Sequence, residues 1–258
     1  MNGKHLRGLT GGVDVPTTAY NRAMLVLRRA AADNDLAALL GESGTGKTFC
    51  ALSFLEGMTA GGRLAVYLQP EPTATHTQMT TRLLQKLTGA RPTGESYYRT
   101  DDLAELLTEH SPVIVVDEAH RAQARGLDQL IYLKETAPEW TLVLVGSELP
   151  AAAGRVPGVR SRLRGRTAAF DVLTGAELLS TLTAWHPLLR GADPQLLQRI
   201  DARYCAGRFR DWAQLMRAAE DANDELRTRG KPTHSTLTTR LLGTAVALAG
   251  FDAWEVPA

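Results

Sequence analysis

Apolar positions follow two rhythms along this chain, one after the other. In roughly the first two thirds, short uninterrupted apolar runs lie at 36–40, 113–116 and 142–145 (within the strand read at 141–146), and further strands are read at 64–69 and 167–172. Runs of this length without polar alternation predict strands buried on both faces, as in a parallel sheet. Helical spacing appears between them. Ala23, Met24, Leu27 and Ala30 share one face of 17–33, and Ala51, Leu52, Leu55 and Met58 one face of 48–58. A Thr-rich helix (75–87) and an acidic one (101–109) fill the long connection between the second and third strands. From Leu173 onward only the helical rhythm persists. Thr174 with Glu177 predicts a capping box ahead of Leu178, Leu182 and Trp185, and Asp193-Pro194 an N-cap with proline at the first helical position. Phe209, Trp212, Leu215 and Met216 mark a third helix, and Leu237, Leu241 and Val246 a fourth. The expected architecture is α/β: a five-stranded parallel αβα core over 15–172 and a small helical domain over 173–250. A loose arm (1–14) and a short tail (251–258) flank them. The pattern shows no internal repeat.

Two stretches at predicted strand ends carry chemistry. Gly41-Glu42-Ser43-Gly44-Thr45-Gly46-Lys47-Thr48 fits the phosphate-loop pattern G-x-x-x-x-G-K-[ST] between a strand and a helix. Its glycines let backbone N–H groups face phosphate oxygens, with the helix N-terminus behind them. Lys47 is expected to reach the β- and γ-phosphates of ATP and the Thr48 hydroxyl to ligate magnesium, with Phe49 counted in the nucleotide site. Asp117 and Glu118 close the third strand at its C-terminal end, where open α/β sheets bind ligands. Asp117 suits magnesium, directly or through water, and Glu118 suits polarising an attacking water. Ser147, after the fourth strand, is placed to orient that water or sense the γ-phosphate, or else is a turn serine. Asp117-Glu118-Ala119-His120 also spells a helicase box. The residues after His120 read as too helical for a second RecA-like domain, so a helicase is not expected.

Composition narrows the partners. The 29 Lys and Arg residues against 28 Asp and Glu leave a net charge of +1, so nucleic-acid binding would need a local patch and not a global field. The 2 cysteines form neither a disulfide framework nor a zinc pattern. No apolar stretch resembles a signal peptide or reaches membrane-spanning length, so the expected setting is the cytoplasm, without a membrane partner.

Taken together, the phosphate loop, the Val113–Glu118 carboxylate strand, Ser147, the Arg-dense stretch to Arg166 and the helical end resemble an AAA+ ATPase. The resemblance spans about residues 15–245 and implies a P-loop core with a helical lid. Within it Gly207-Arg208-Phe209-Arg210 resembles the start of the lid helix whose arginine meets the γ-phosphate, which puts Arg210 in that role. Ser161-Arg162-Leu163 resembles the arginine-finger segment, given in trans to a neighbour, with Arg160, Arg164 and Arg166 as competing candidates. The lead-in helix either borders the adenine pocket or packs as core.

The compact single module is similar to the DNA-transposition regulators TnsC, TniB and Mu B, and more distantly to ExeA-type and Orc/Cdc6 ATPase cores. That resemblance implies ATP-dependent assembly as a ring or helical filament on duplex DNA, recruitment of a transposase, and hydrolysis-driven disassembly. It puts Thr75, Thr77, Arg82 and Lys86, Arg99 beside Tyr98, and Arg121 and Arg125 on the DNA side. A helicase loader or other replication accessory ATPase, and a nucleotide switch that binds no DNA, remain open as alternatives.

Overall fold

The computed structural model describes residues 9–72, 74–90, 96–154 and 159–252, and of residues 96–98, 153 and 160 the backbone alone. They form two units, one of residues 18–170 and one of 9–17 with 171–252.

The first unit is built on β1 (Leu36–Gly41), β2 (Ala65–Leu68), β3 (Val113–Val116), β4 (Thr141–Gly146) and β5 (Thr167–Phe170). All pair in parallel in the order β2-β3-β4-β1-β5. The uninterrupted apolar runs of β1, β3 and β4 follow from burial on both faces, whereas β2 and β5, at the two edges of the sheet, alternate. Alternate residues feed opposite layers: Leu36, Ala38, Ile114, Val116, Leu142 and Leu144 enter one core, and Ala37, Leu39, Val113, Val115, Val143 and Val145 the other. The second core is covered by α1 (Thr18–Ala32) and α2 (Lys47–Ala60). The first is covered by α3 (His76–Thr88), α4 (Ser96–His110) and α5 (Gln123–Thr136). Two short helices, α6 (Leu149–Ala153) and α7 (Val159–Arg162), return the chain to β5. The N-terminal sheet edge is tied by Arg63. It donates to Ala31 O at 2.6 Å, Ser111 O at 2.9 Å, Thr141 Oγ1 at 3.2 Å and the Asn34 side chain, and burial lowers its pKa.

The second unit holds α8 (Gly175–Trp185), α9 (Pro187–Arg190), α10 (Pro194–Ile200), α11 (Phe209–Thr228) and α12 (Thr239–Leu248) around Trp185, Trp212, Leu197 and Leu242. Asp193 caps α10 through Gln195 N–H, as its pairing with Pro194 implies. The capping box at Thr174 does not form. Thr174 is the N-cap residue but makes no side-chain cap bond. Gly175 follows at φ 55°, so the chain enters the helix on a left-handed step and not along the path a capping box needs.

Residues 9–17 join this unit. Thr10 N–H bonds both Glu220 oxygens at 2.9 and 3.0 Å, and Val13 N–H bonds Trp185 O at 2.9 Å. Buried His186 accepts Leu188 N–H on Nδ1, which puts its proton on Nε2, 3.1 Å from Thr10 O and 3.2 Å from Glu220.

A π-helical turn (Asp201–Cys205) sets the start of α11. Asp201 Oδ1 accepts Gly207 N–H and Trp212 Nε1–H, both at 2.8 Å. Gly207 has φ 72°, and a Cβ there would lie 2.3 Å from Leu173 O. Gly207→Ala is therefore expected to cost about 2–5 kcal/mol, from left-handed strain plus the clash. Chemical denaturation would measure it, and a loss below about 0.5 kcal/mol, the scale of ordinary surface substitutions, would refute the account. Among the described residues no helix is long and apolar enough to cross a membrane.

Candidate nucleotide site

The phosphate loop springs from the C-terminal end of β1. Gly41 turns at φ 139°, and a Cβ would lie 2.1 Å from Phe170 O, so the loop's first residue must be glycine. Gly44 and Gly46 also have positive φ, and α2 opens on Gly46 with no side-chain cap, as suits an anion-binding helix start. Lys47 is buried, and its Nζ donates to Gly41 O at 2.8 Å and Glu42 O at 2.6 Å. The ammonium is thus held over the loop by the loop's own carbonyls. Thr45 Oγ1 closes the turn on Glu42 O at 2.8 Å. Phe49 lies in the first turn of α2 with its ring 6.0 Å from that of Tyr20 on α1.

The third strand delivers the carboxylates to the same edge. Asp117 is buried. Its Oδ2 accepts from Thr48 Oγ1 and from the Tyr67 hydroxyl, both at 2.7 Å, and its Oδ1 from Glu118 N–H at 2.9 Å. Glu118 follows in the left-handed region (φ 50°, ψ 43°). His120 Nδ1 lies 3.5 Å from Glu118 Oε2. A Cβ on Gly146 would come within 3.3 Å of the same nitrogen, so the imidazole sits between Glu118 and the end of β4. Ser147 comes next and is exposed. Gly146 is in register with Leu40, which brings Ser147 level with the start of the phosphate loop.

The donor set fits magnesium and a nucleotide. A hydroxyl and a carboxylate meet at 2.7 Å, a pair of hard oxygen donors. Magnesium generally takes one or two protein oxygens and completes its shell with water and phosphate. Among the described residues no group of three or more His, Cys, Asp or Glu competes as a metal site.

Tyr67 was not legible as part of this site. It sits at an interior position of β2, and only the pairing of β2 with β3 brings its hydroxyl to Asp117. Burial first, then Asp117, raise its pKa well above the usual tyrosine range, so it remains a donor.

The remaining site candidates lie elsewhere. Arg162 ends α7 and is ion-paired to Glu135, lining a cleft with Asp35, Leu36, Ile131, Lys134 and Arg166. Asp35 immediately precedes β1 and Leu36 begins it, so this cleft is at the N-terminal sheet edge. Six residues of strand separate it from the phosphate loop, about 20 Å at the usual rise. Arg166 is paired with Asp35 at the same edge, and Arg164 is exposed. The side chain of Arg160 lies outside the described residues. Arg210 is in the helical unit, exposed on the first turn of α11.

Of the DNA-side candidates, Thr75 caps α3 through a capping box with Gln78, so its hydroxyl is already engaged. Thr77 lies in the first turn of α3. Arg82 pairs with Glu71, Lys86 is exposed one turn on, and Arg99 Nη1 bonds Thr81 Oγ1 at 3.1 Å. Arg121 lies in the 3-10 turn after Glu118, and Arg125 is exposed near the start of α5. The side chain of Tyr98 and most of the loop before α4 fall outside the described residues.

Comparison with known proteins agrees with this geometry. Residues 31–150 match the family model described as an AAA domain. Comparison with curated protein sequences gives no match. Among solved structures, Cdc6p from Pyrobaculum aerophilum superposes with a TM-score of 0.63 at 19% identity, over 84% of this chain and 62% of that one. Domain III of the replication initiation protein DnaA from Thermotoga maritima gives 0.55 at 14% identity, over 94% of both chains. The RuvB Holliday junction branch migration motor from Thermotoga maritima gives 0.52 at 15%, over 89% and 68%. The chain thus spans less than two thirds of Cdc6p. With its parallel sheet, phosphate loop and helical C-terminal region, the chain has the fold of the AAA+ ATPases, and residues 31–150 are the part that matches the AAA domain model.

Proposed function

We propose that this protein is a magnesium-dependent ATPase that assembles on duplex DNA and regulates transposition, with hydrolysis releasing the assembly. The observation that carries the reading is the division of the catalytic set between two sheet edges. Lys47, Thr48, Asp117, Glu118 and Ser147 gather at the C-terminal edge. Arg162 lies about 20 Å away at the N-terminal edge, too far to reach its own nucleotide. A finger so placed serves the site of a second copy, so turnover requires assembly.

In this reading Lys47 and the loop from Gly41 to Thr48 hold the phosphates, Thr48 and Asp117 hold the metal, and Ser147 and Arg210 contact the γ-phosphate. Magnesium, when bound, neutralises phosphate charge. Glu118 polarises the attacking water.

DNA enters through α3 and its neighbours. A protein of net charge +1 gains duplex affinity by adding a few phosphate contacts per subunit, so nucleotide-driven assembly and DNA binding are coupled. Contacts of this kind position without specifying sequence. The choice of transposition over helicase loading follows the motif resemblance to TnsC and TniB. DnaA, which resembles the chain in fold, is a replication initiation protein, so a helicase partner is the competing outcome.

Duplex binding is expected only with ATP or a non-hydrolysable analogue, with little sequence preference. Its log–log salt slope should be about −0.9 per phosphate neutralised. Lys86→Ala should weaken binding to all sequences and shallow that slope, leaving ATP binding intact. Salt titration and electron microscopy of the protein with duplex DNA, with and without the analogue, test both points. Binding that is absent, salt-insensitive or indifferent to nucleotide overturns the DNA reading in favour of a nucleotide switch. Turnover that responds to a helicase and not to a transposase overturns the transposition reading.

A further inference from the structure

Asp117 is 3% exposed and, among the described residues, forms no ion pair. Its orientation therefore rests on three neutral donors: the Thr48 hydroxyl, the Tyr67 hydroxyl and Glu118 N–H. Two of these belong to the sequence motifs that meet at the site. The third comes from β2, the edge strand, whose Tyr67 is in register with Val115 of β3. A carboxylate held only by Thr48 and one backbone amide keeps freedom to rotate about its Cβ–Cγ bond. The Tyr67 bond, on the same Oδ2 that Thr48 contacts, removes that freedom and selects the lone pairs that remain for a cation or its water.

We propose that Tyr67 is a positioning residue for magnesium, fixing the Asp117 carboxylate in the orientation that binds the ion beside Thr48. This rests on the reading of Asp117 and Thr48 as the magnesium pair. The phenol has one proton to give, and Asp117 takes it. Hydrogen-bond partners of metal ligands generally contribute 10- to 100-fold to metal affinity, because they orient the ligand before the ion arrives.

The test measures binding of a fluorescent ATP analogue to the full chain as magnesium is titrated, without relying on turnover. Tyr67→Phe deletes one oxygen and keeps the ring in its half-buried place. It is expected to leave magnesium-free nucleotide affinity unchanged and to raise the magnesium concentration at half-effect about 10- to 100-fold. Asp117→Asn should also raise it, and Tyr67→Phe added to Asp117→Asn should raise it no further, since Tyr67 acts only through that carboxylate. If Asp117→Asn leaves the magnesium dependence untouched, the magnesium pair itself is misassigned. If Asp117→Asn shifts it and Tyr67→Phe does not, the pair stands and the Tyr67 role falls. An additional shift in the double variant also overturns that role, because it places Tyr67 on the ion by some other route.

Discussion

Arg162→Ala is expected to bind ATP as the unaltered protein does and to hydrolyse it roughly 10³- to 10⁵-fold more slowly, the contribution arginine fingers make in phosphoryl transfer. The size follows from the chemistry. A guanidinium delivered to the transferring phosphate neutralises charge that grows only as the leaving oxygen departs. Geometry makes the effect depend on a second copy, since the Arg162 cleft opens at the sheet edge opposite the phosphate loop. Activity per subunit should therefore rise with protein concentration. Mixing Arg162→Ala with Glu118→Gln should restore part of the activity, because some interfaces then pair an intact finger with an intact carboxylate. Steady-state ATPase assays on mixtures shown to co-assemble decide the matter. Absence of rescue removes Arg162 from the trans role and makes Arg160 the next residue to substitute. In the proposed trans role, the exposed ion pair of Arg162 with Glu135 opens on assembly.

Glu118→Gln should keep ATP affinity and lose roughly 10²- to 10⁴-fold in turnover, the range of general-base catalysis. The amide is nearly isosteric but cannot take the water's proton, while Lys47 and Thr48 still hold the phosphates. Lys47→Ala should behave in the opposite way and lose binding itself. Its ammonium, now satisfied by the Gly41 and Glu42 carbonyls, is the only cationic side chain built into the loop. Equilibrium nucleotide binding and turnover, measured on both variants, separate the two roles. Comparable hydrolysis by Glu118→Gln and the unaltered protein would remove Glu118 from the mechanism.

What could be read before folding was local in the chain. Gly41 to Thr48 is contiguous, and its residue types answer to phosphate chemistry at fixed spacing, so no tertiary information was needed. The same holds for Asp117 and Glu118, because the burial of Val113–Val116 on both faces already predicted a parallel strand ending at a ligand-binding edge. Helix α5 was passed over although Leu127, Leu130, Ile131 and Leu133 carry its apolar face. It follows the 3-10 turn without a side-chain cap and contains Gly126, so neither a start signal nor a strong propensity marks it.

The sequence by itself determined the alternation of strand and helix, the nucleotide loop, the carboxylate strand and the succession of sheet by helices. Each of these depends on neighbours within a few residues, on burial periodicity or on a motif. Only the tertiary structure decided the strand order β2-β3-β4-β1-β5, and with it the meeting of Thr48, Tyr67 and Asp117 across 50 to 69 residues of chain. It also decided that Arg162 lies at the far edge of the sheet, and that residues 9–17 are held by Glu220 and His186. The physical reason is common to all three. A hydrogen bond or ion pair between distant residues leaves no periodic trace in the chain, and exists only once the packed cores have fixed both partners within reach.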